Sequence, residues 1–490
     1  MRVSIIGAGI GGLATACLLA AKGNQVSVFE KNSGAGGKLN IFEKQGFHFD
    51  TGPSLLTMKD ILEKLFELTG ERLSDHLNLT PLEPICRYNY QDGVSFDCFE
   101  DKEATIREIA KFAPEDAKAY PPFLNYCSTL YTKTDTAFIR NPLFDFSDVK
   151  NLNVPSFFGI DAFTTVSKSV DKAFQSEYLR MFFKRFTTYN GSSPFQAPAT
   201  LNVIPHVELN QGGYYIKGGM YRLTVVLEEL ALKLGVQFHF NSPVEEIVIE
   251  KSQTKGVRSQ EKYFHSDIVI ANSDSTETIL NLIGDDHFPK RKKEKASKIE
   301  PSCSGFVLLL GIDKQYDQLV HHNIFFSKNY EHEFHQIFKE KVMPDDPTIY
   351  IANTSFSDPA HAPEGGSNLF VLVNAPYLSE YYSWENHVQA YSKKVIQGLE
   401  QRGLDGLSDA IVVQESITPE DFYHLYLSNK GSIYGTSSNS KFSAFVRPRN
   451  KSRHIDKLYF VGGSTHPGGG IPLVVQSAFN AVELIDRYEV

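Results

Sequence analysis

The sequence predicts an α/β protein: a Rossmann-like lobe of parallel strands and helices, assembled from segments distant in the chain, with a mixed α+β lobe inserted between them. Three observations predict it. A strand, a glycine-rich turn, a helix, a second strand and an acid follow one another at the start, ending at Glu30. A second glycine cluster, Gly462-Gly463-Ser464-Thr465-His466-Pro467-Gly468-Gly469-Gly470, again stands between a strand and a helix at the other end. The chain of 490 residues exceeds one ordinary core, so two lobes are expected.

Val3–Ile6 reads as a short buried strand and Leu13–Ala21 as an apolar helix, which places Gly7-Ala8-Gly9-Ile10-Gly11-Gly12 at the turn where a pyrophosphate belongs. Gly7 permits the tight turn, Gly9 lets the backbone approach the phosphates, and Gly12 allows close packing of the helix. Val26, Val28 and Phe29 lie in the second strand, and the Glu30 carboxylate is placed to accept hydrogen bonds from a ribose. A secretory signal is the competing reading of the apolar run. Only Arg2 precedes that run, however, and the pattern continues into another strand. After Glu30, the Gly36-Gly37-Lys38 segment offers flexible backbone and a positive charge suited to a diphosphate. Gly52-Pro53-Ser54 offers a rigid turn that returns the chain toward a ring. This order favours a flavin dinucleotide over a nicotinamide one.

The next part of the same lobe runs from Gly218-Gly219-Met220 through a helical pattern, Leu223–Leu234, to strands at Val236–Phe240, Val244–Ile249 and Asp267–Asn272. The last part is Leu458–Val461, the second glycine cluster and a helix from about Leu473 to Tyr488, whose free amides suit a flavin phosphate or ribityl chain. The expected division is therefore 1–85, 213–301 and 441–490 for the dinucleotide lobe, with 86–212 and 302–440 for the substrate lobe. Val244, Gly463, Ser464 and Ile471 join the cofactor candidates Gly7, Gly9, Gly12, Glu30, Gly37, Lys38, Gly52, Pro53 and Ser54.

Composition narrows the function. A hydrophobic content of 41% fits a globular chain, and no uninterrupted apolar run approaches the ~20 residues that span a bilayer, so any membrane contact is expected to be peripheral. A net charge of −9 argues against a nucleic-acid partner. The exception, Lys290-Arg291-Lys292-Lys293, reads as a solvated turn. The five cysteines lack paired spacing, so neither a metal site nor a disulfide framework is expected and a reducing, cytoplasmic setting follows. His321-His322 reads as part of a polar loop rather than a metal site. Aromatic residues crowd the stretch from Tyr120 to Phe163, including Phe123, Tyr126, Tyr131, Phe138, Phe144, Phe146, Phe157 and Phe158. They suit either a mouth for a lipophilic molecule at a membrane surface or core packing.

The chain resembles the carotenoid desaturase family, the bacterial phytoene-desaturase type of flavin amine-oxidase-like enzyme, over nearly its whole length. The resemblance rests on Ile5-Ile6-Gly7-Ala8-Gly9-Ile10-Gly11-Gly12-Leu13, Gly36-Gly37-Lys38, Phe49-Asp50-Thr51-Gly52-Pro53-Ser54, Lys217-Gly218-Gly219-Met220, Asp358-Pro359 with Ala362-Pro363-Glu364-Gly365, and Thr465-His466-Pro467-Gly468-Gly469-Gly470-Ile471-Pro472. It implies FAD bound without NAD, a long tunnel for a lipophilic carotenoid, and an electron acceptor such as quinone or oxygen. It also implies peripheral association with the inner, cytoplasmic membrane. Lys38 stands where many relatives are similar to an arginine, which keeps the charge and loses the bidentate fork. Tyr189-Asn190-Gly191-Ser192-Ser193-Pro194-Phe195 and Gly469-Gly470-Ile471-Pro472-Leu473-Val474 depart from the phytoene-desaturase wording and look more like the 1-hydroxycarotenoid 3,4-desaturase branch. Phytoene desaturation, flavin-dependent isomerisation, amine oxidation and non-catalytic lipid carriage are the alternatives.

Desaturation removes a hydride and a proton, and a flavin can take the hydride. Charge developing beside a polyene delocalises, so no strong base or catalytic triad is required, and none is visible in the sequence. An end hydroxyl would be read by a buried polar partner, for which Arg185, Tyr189 and Asn190 are candidates because a helix-like run, Tyr178–Phe186, leads into them. For Arg185 a surface salt bridge is the competing reading. His466 is placed either to accept a proton near the flavin or to hydrogen-bond backbone.

Overall fold

A computed structural model describes residues 1–145, 148, 160–440 and 447–490. The chain opens with β1 (Arg2–Ile6), α1 (Ile10–Ala21) and β2 (Gln25–Phe29). It returns to the same sheet much later with β3 (Gln237–His239), β4 (Ile268–Ala271) and β5 (Leu458–Phe460), before the closing helix α2 (Ile471–Tyr488). The five strands are parallel in the order β5-β4-β1-β2-β3. Ile6 stands opposite both Phe29 and Ala271, so the strands end level beside the first glycine turn.

A parallel sheet covered on both faces needs strands apolar on both faces, and Ile268-Val269-Ile270-Ala271 is buried at every position. The same logic explains α1. Residues Ile10 to Ala20 are all buried, because α1 lies between α2 and the helix Arg222–Lys233. Its uniform hydrophobicity, which resembles a signal segment in sequence, is that of a helix in the core. It begins three residues earlier than the apolar run suggests, with Gly11 and Gly12 in its first turn. α2 begins at Ile471 with Pro472 in its first turn, where the missing N–H costs nothing.

The second large sheet has seven strands, in the order Ile411–Ile417, Ser304–Ile312, Ser367–Ala375, Ile349–Ala352, His322–Phe325, Cys86–Asn89 and Ser95–Cys98. Its pairs are antiparallel except for His322–Phe325 beside Cys86–Asn89. Ser304–Ile312, paired on both sides, is wholly buried. Val244–Glu250 belongs to a separate three-stranded antiparallel sheet.

Two local expectations are corrected. Lys290-Arg291-Lys292-Lys293 begins a helix, Lys290–Ser297, rather than forming a turn; lysine and arginine are good helix formers, and the first three remain exposed while Lys293 is half-buried and paired with Asp285. His321 and His322 are not in a polar loop: both are buried, and His322 opens a strand whose four residues are all buried. The aromatic stretch divides. Tyr120, Phe123 and Tyr131 are buried, whereas Phe163 is 86% exposed, and Phe146, Phe157 and Phe158 lie outside the described residues. All five cysteines are free and buried.

Candidate active site

A cavity of about 800 Å3 runs from the first glycine turn into the space beside the seven-stranded sheet. At one end it is lined by Gly7, Gly9, Glu30, Gly37, Lys38, Val244, Gly463, Ser464 and Ile471, and further along by Gly52, Pro53 and Ser54. Of the cofactor candidates, only Gly12 is absent from the lining; it lies in the first turn of α1, against the Gly7 carbonyl. A Cβ there would fall 2.1 Å from the Gly7 carbonyl oxygen, so glycine is required for α1 to start where it does. Gly52 is under the same constraint, since a Cβ would meet the Lys38 carbonyl oxygen at 1.9 Å.

The loop before α1 is held from two sides. Glu30 accepts hydrogen bonds from the Ala8 and Asn32 amides, each at 2.9 Å, while Asn272 Nδ2 donates to the Gly7 carbonyl at 3.2 Å. A carboxylate has about four acceptor positions, so Glu30 keeps capacity for ribose hydroxyls. The start of α1 carries no side-chain cap, leaving its first amides for an anion. Lys38 Nζ donates to the Ser432 and Ile433 carbonyls at 2.9 and 2.7 Å. Burial pushes this ammonium down to about 8, against the pull of the nearby Asp274 carboxylate. Arg447 also lines the cavity and is buried. Its Nη2 donates to Asn190 Oδ1 at 2.6 Å, but Nη1 has no hydrogen-bond partner among the described residues. Backbone amides at a helix start, an acceptor for ribose, close-approach glycines and an unpartnered guanidinium nitrogen fit the diphosphate and ribose parts of FAD.

The rest of the cavity wall is largely apolar, with Phe138, Ile139, Ile204, Val207, Phe370 and Leu372 among its residues. Arg185 and Tyr189 line it too, yet Arg185 is not on the surface. It is 6% exposed, at the start of a 3-10 turn, Arg185–Asn190, that continues the helix Glu177–Lys184. That turn brings Arg185 to the helix Val203–Gln211, where its Nη2 donates to Glu208 Oε1 at 2.7 Å, and it also donates to the Tyr88 hydroxyl. The Tyr189 hydroxyl donates to Glu208 Oε2. A buried guanidinium without a carboxylate would be strongly destabilising, which accounts for Glu208 at 2% exposure. Asn190 is committed to Ser438 and Arg447.

His466 lines the cavity with its Nε2 2.8 Å from the Asn141 carbonyl, so Nε2 carries the proton and donates. Burial pushes this imidazole down to about 4 and keeps it neutral near pH 7. Only Nδ1 then has a lone pair to accept a proton.

Sequence reasoning missed Glu208, Arg447, Asn272, Tyr350 and His322. The last two form a chain with Ser54: the Ser54 and Tyr350 hydroxyls are hydrogen-bonded at 2.5 Å, and Tyr350 is bonded to His322 Nδ1 at 2.7 Å. Nothing local marks these residues; they meet because strands Ile349–Ala352 and His322–Phe325 pair, with Ile324 opposite Tyr350.

Comparison with known proteins agrees with this geometry. Residues 10–486 match the family described as flavin containing amine oxidoreductase. A 4,4'-diapolycopene oxygenase of a Methylomonas species is 37% identical over 97% of this chain and 96% of its own. A 4,4'-diaponeurosporene oxygenase of Staphylococcus haemolyticus is 34% identical over 100% of this chain and 97% of its own. Among solved structures, an oxidoreductase from Methanosarcina mazei shares the fold, with a TM-score of 0.66 at 15% identity over 99% of this chain and 100% of that one. A helix-start pyrophosphate cradle, a continuous apolar chamber and a family match over nearly the whole length have one joint consequence: the chain belongs to the flavin containing amine oxidoreductase family and is an FAD-dependent oxidoreductase.

Proposed function

We propose that this FAD-dependent oxidoreductase oxidises an acyclic carotenoid near one end of its chain. The observation that carries the reading is the continuity of the cavity, in which a glycine-lined cofactor end opens directly into a mostly apolar chamber. The two curated relatives, both named as oxygenases of carotenoids, support the same substrate class. Bound FAD supplies a two-electron acceptor. Gly7, Gly9, Glu30, Arg447 and the start of α1 would hold it; Gly52, Pro53 and Ser54 wall the passage to the chamber. Apolar side chains exclude water and hold the substrate in line, and alignment within ~3–3.5 Å of the reacting atom is their main contribution. The neutral His466 offers a weak acceptor at Nδ1 rather than a strong base.

Two outcomes at the carotenoid end are chemically distinct. Oxygen insertion is favoured by the relatives' names, whereas 3,4-desaturation of a 1-hydroxycarotenoid is favoured by the departures at Tyr189–Phe195 and Gly469–Val474. We further propose the division into a dinucleotide lobe and a substrate lobe given above, peripheral attachment to the cytoplasmic face of the membrane that holds the substrate, and quinone or oxygen as the final oxidant. The exposed Phe163 is consistent with such attachment, and no helix among the described residues is long and apolar enough to cross a membrane.

The test is incubation of the FAD-loaded protein with liposomes carrying an acyclic hydrocarbon carotenoid or its 1-hydroxylated form, under labelled dioxygen, with product masses measured. Labelled oxygen in the product supports the oxygenase outcome, and loss of two hydrogens from only the hydroxylated substrate supports 3,4-desaturation. Unchanged mass with both removes the reading that the protein oxidises a carotenoid.

A further inference from the structure

Besides Arg447 Nη1 and Ser428 Oγ, two further polar atoms on cavity-lining residues lack a partner among the described residues. His322 Nε2 and Arg185 Nε are both buried without a hydrogen-bond partner among the described residues, and both side chains line the cavity. A buried polar group left unpaired costs stability, so native proteins retain few of them without a reason. The neighbouring polar groups are already engaged: Tyr189 by Glu208, and Asn190 by Ser438 and Arg447. We propose that His322, Tyr350 and Ser54, together with Arg185, form a subsite that receives the oxygen of a hydroxyl or carbonyl group on the end of the polyene. This rests on the carotenoid reading.

The chemistry of the chain Ser54–Tyr350–His322 suits both kinds of oxygen. Burial, together with the neighbouring His321 and Arg185, holds His322 well below the usual imidazole range, so it is neutral with one N–H. If the Tyr350 hydroxyl donates to Nδ1, Nε2 bears the proton and donates to a carbonyl. If Nδ1 donates to Tyr350, the tyrosine donates to Ser54 and Nε2 accepts from a hydroxyl. The two states are the two neutral tautomers of the ring, reached by proton exchange, and the Ser54 and Tyr350 hydroxyls rotate to match either one because each can donate or accept. Arg185 Nε supplies a fixed donor whose charge Glu208 balances. A hydrocarbon end would leave both atoms unpaired, so the subsite selects an end that already carries oxygen. It follows that another oxidation or hydration, or an earlier turnover of this enzyme, supplies the preferred substrate.

The test titrates the FAD-loaded protein with two acyclic polyenes of equal length, one ending in a hydrocarbon and one in a primary alcohol or aldehyde, with binding read from quenching of flavin fluorescence. The wild type is expected to bind the oxygenated end about tenfold or more tightly. His322→Leu, which removes one of the two contacts, and Tyr350→Phe, which releases the hold on Nδ1, are both expected to lower the ratio by about threefold or more while leaving the hydrocarbon Kd within about threefold, since apolar contacts dominate that binding. FAD content and thermal unfolding show whether each variant is folded; if His322→Leu is not, Tyr350→Phe decides. Equal Kd values in the wild type, or an unchanged ratio in Tyr350→Phe, overturn the subsite and leave the carotenoid reading standing. No binding of either polyene overturns both.

Discussion

A single side chain does two tasks at Glu30. It holds the loop through the Ala8 and Asn32 amides and retains acceptor capacity toward a ribose. Glu30→Ala removes both, and loss of hydrogen bonds to a charged group is expected to raise the Kd for FAD by about 10–100-fold. A flavin fluorescence titration measures it, and an unchanged Kd would take Glu30 out of the cofactor site. Gly12→Ala is expected to be worse, since its Cβ would sit 2.1 Å from a carbonyl that has no room to withdraw. These two positions were legible because a glycine between strand and helix, and an acid after the second strand, each have a geometric reason to be where they are. Arg185 was legible as a polar candidate but not in its setting. Glu208 is 23 residues away, and the side chain that decides whether an arginine is buried does not announce itself in the local sequence.

At the scale of elements, the pattern of the parallel sheet could be read because its inner strands are short, largely apolar runs bounded by turns, and both glycine clusters sit between a strand and a helix. The boundaries were less visible. α1 begins at Ile10, not Leu13, because glycines that look like loop are the first helical turn of a packed core helix. The buried His321-His322 pair could not be read from adjacency, since its environment comes from pairing with Ile349–Ala352 and Cys86–Asn89. The contact between the turn Arg185–Asn190 and the helix Val203–Gln211 is likewise a tertiary fact, and it carries a measurable consequence. Glu208→Leu leaves Arg185 charged and unpaired, which is expected to cost about 3–5 kcal/mol in denaturant unfolding. Replacing both residues, Arg185→Met with Glu208→Leu, is expected to recover most of that loss, because apolar groups of similar size pack without a desolvation penalty. If the double variant is as unstable as the sum of the singles, the pair does not act as a unit.

Over the whole molecule, folding buries ionisable groups, and the stability of the fold should therefore depend on pH. Burial pushes His321 down to about 3 and His361 and His466 down to about 4, against an unfolded value near ~6.5. Between those values the unfolded chain holds protons that the native state refuses. Stability is thus fully present above about pH 6.5 and is lost as the pH falls toward 4. Glu333 acts in the opposite direction: burial raises its carboxyl to about 7, so in the same window the native state holds a proton that the unfolded chain has released. The net slope is accordingly smaller than the histidines alone would give. A difference measurement isolates one of them. His466→Gln keeps a side-chain donor for the Asn141 carbonyl and removes the titration, so the stability gap between wild type and variant should shift by about 3 kcal/mol from pH 7 to pH 4, with the wild type losing more. Denaturant unfolding across that range reads it directly, and parallel curves for the two proteins would mean that His466 is not held neutral by burial.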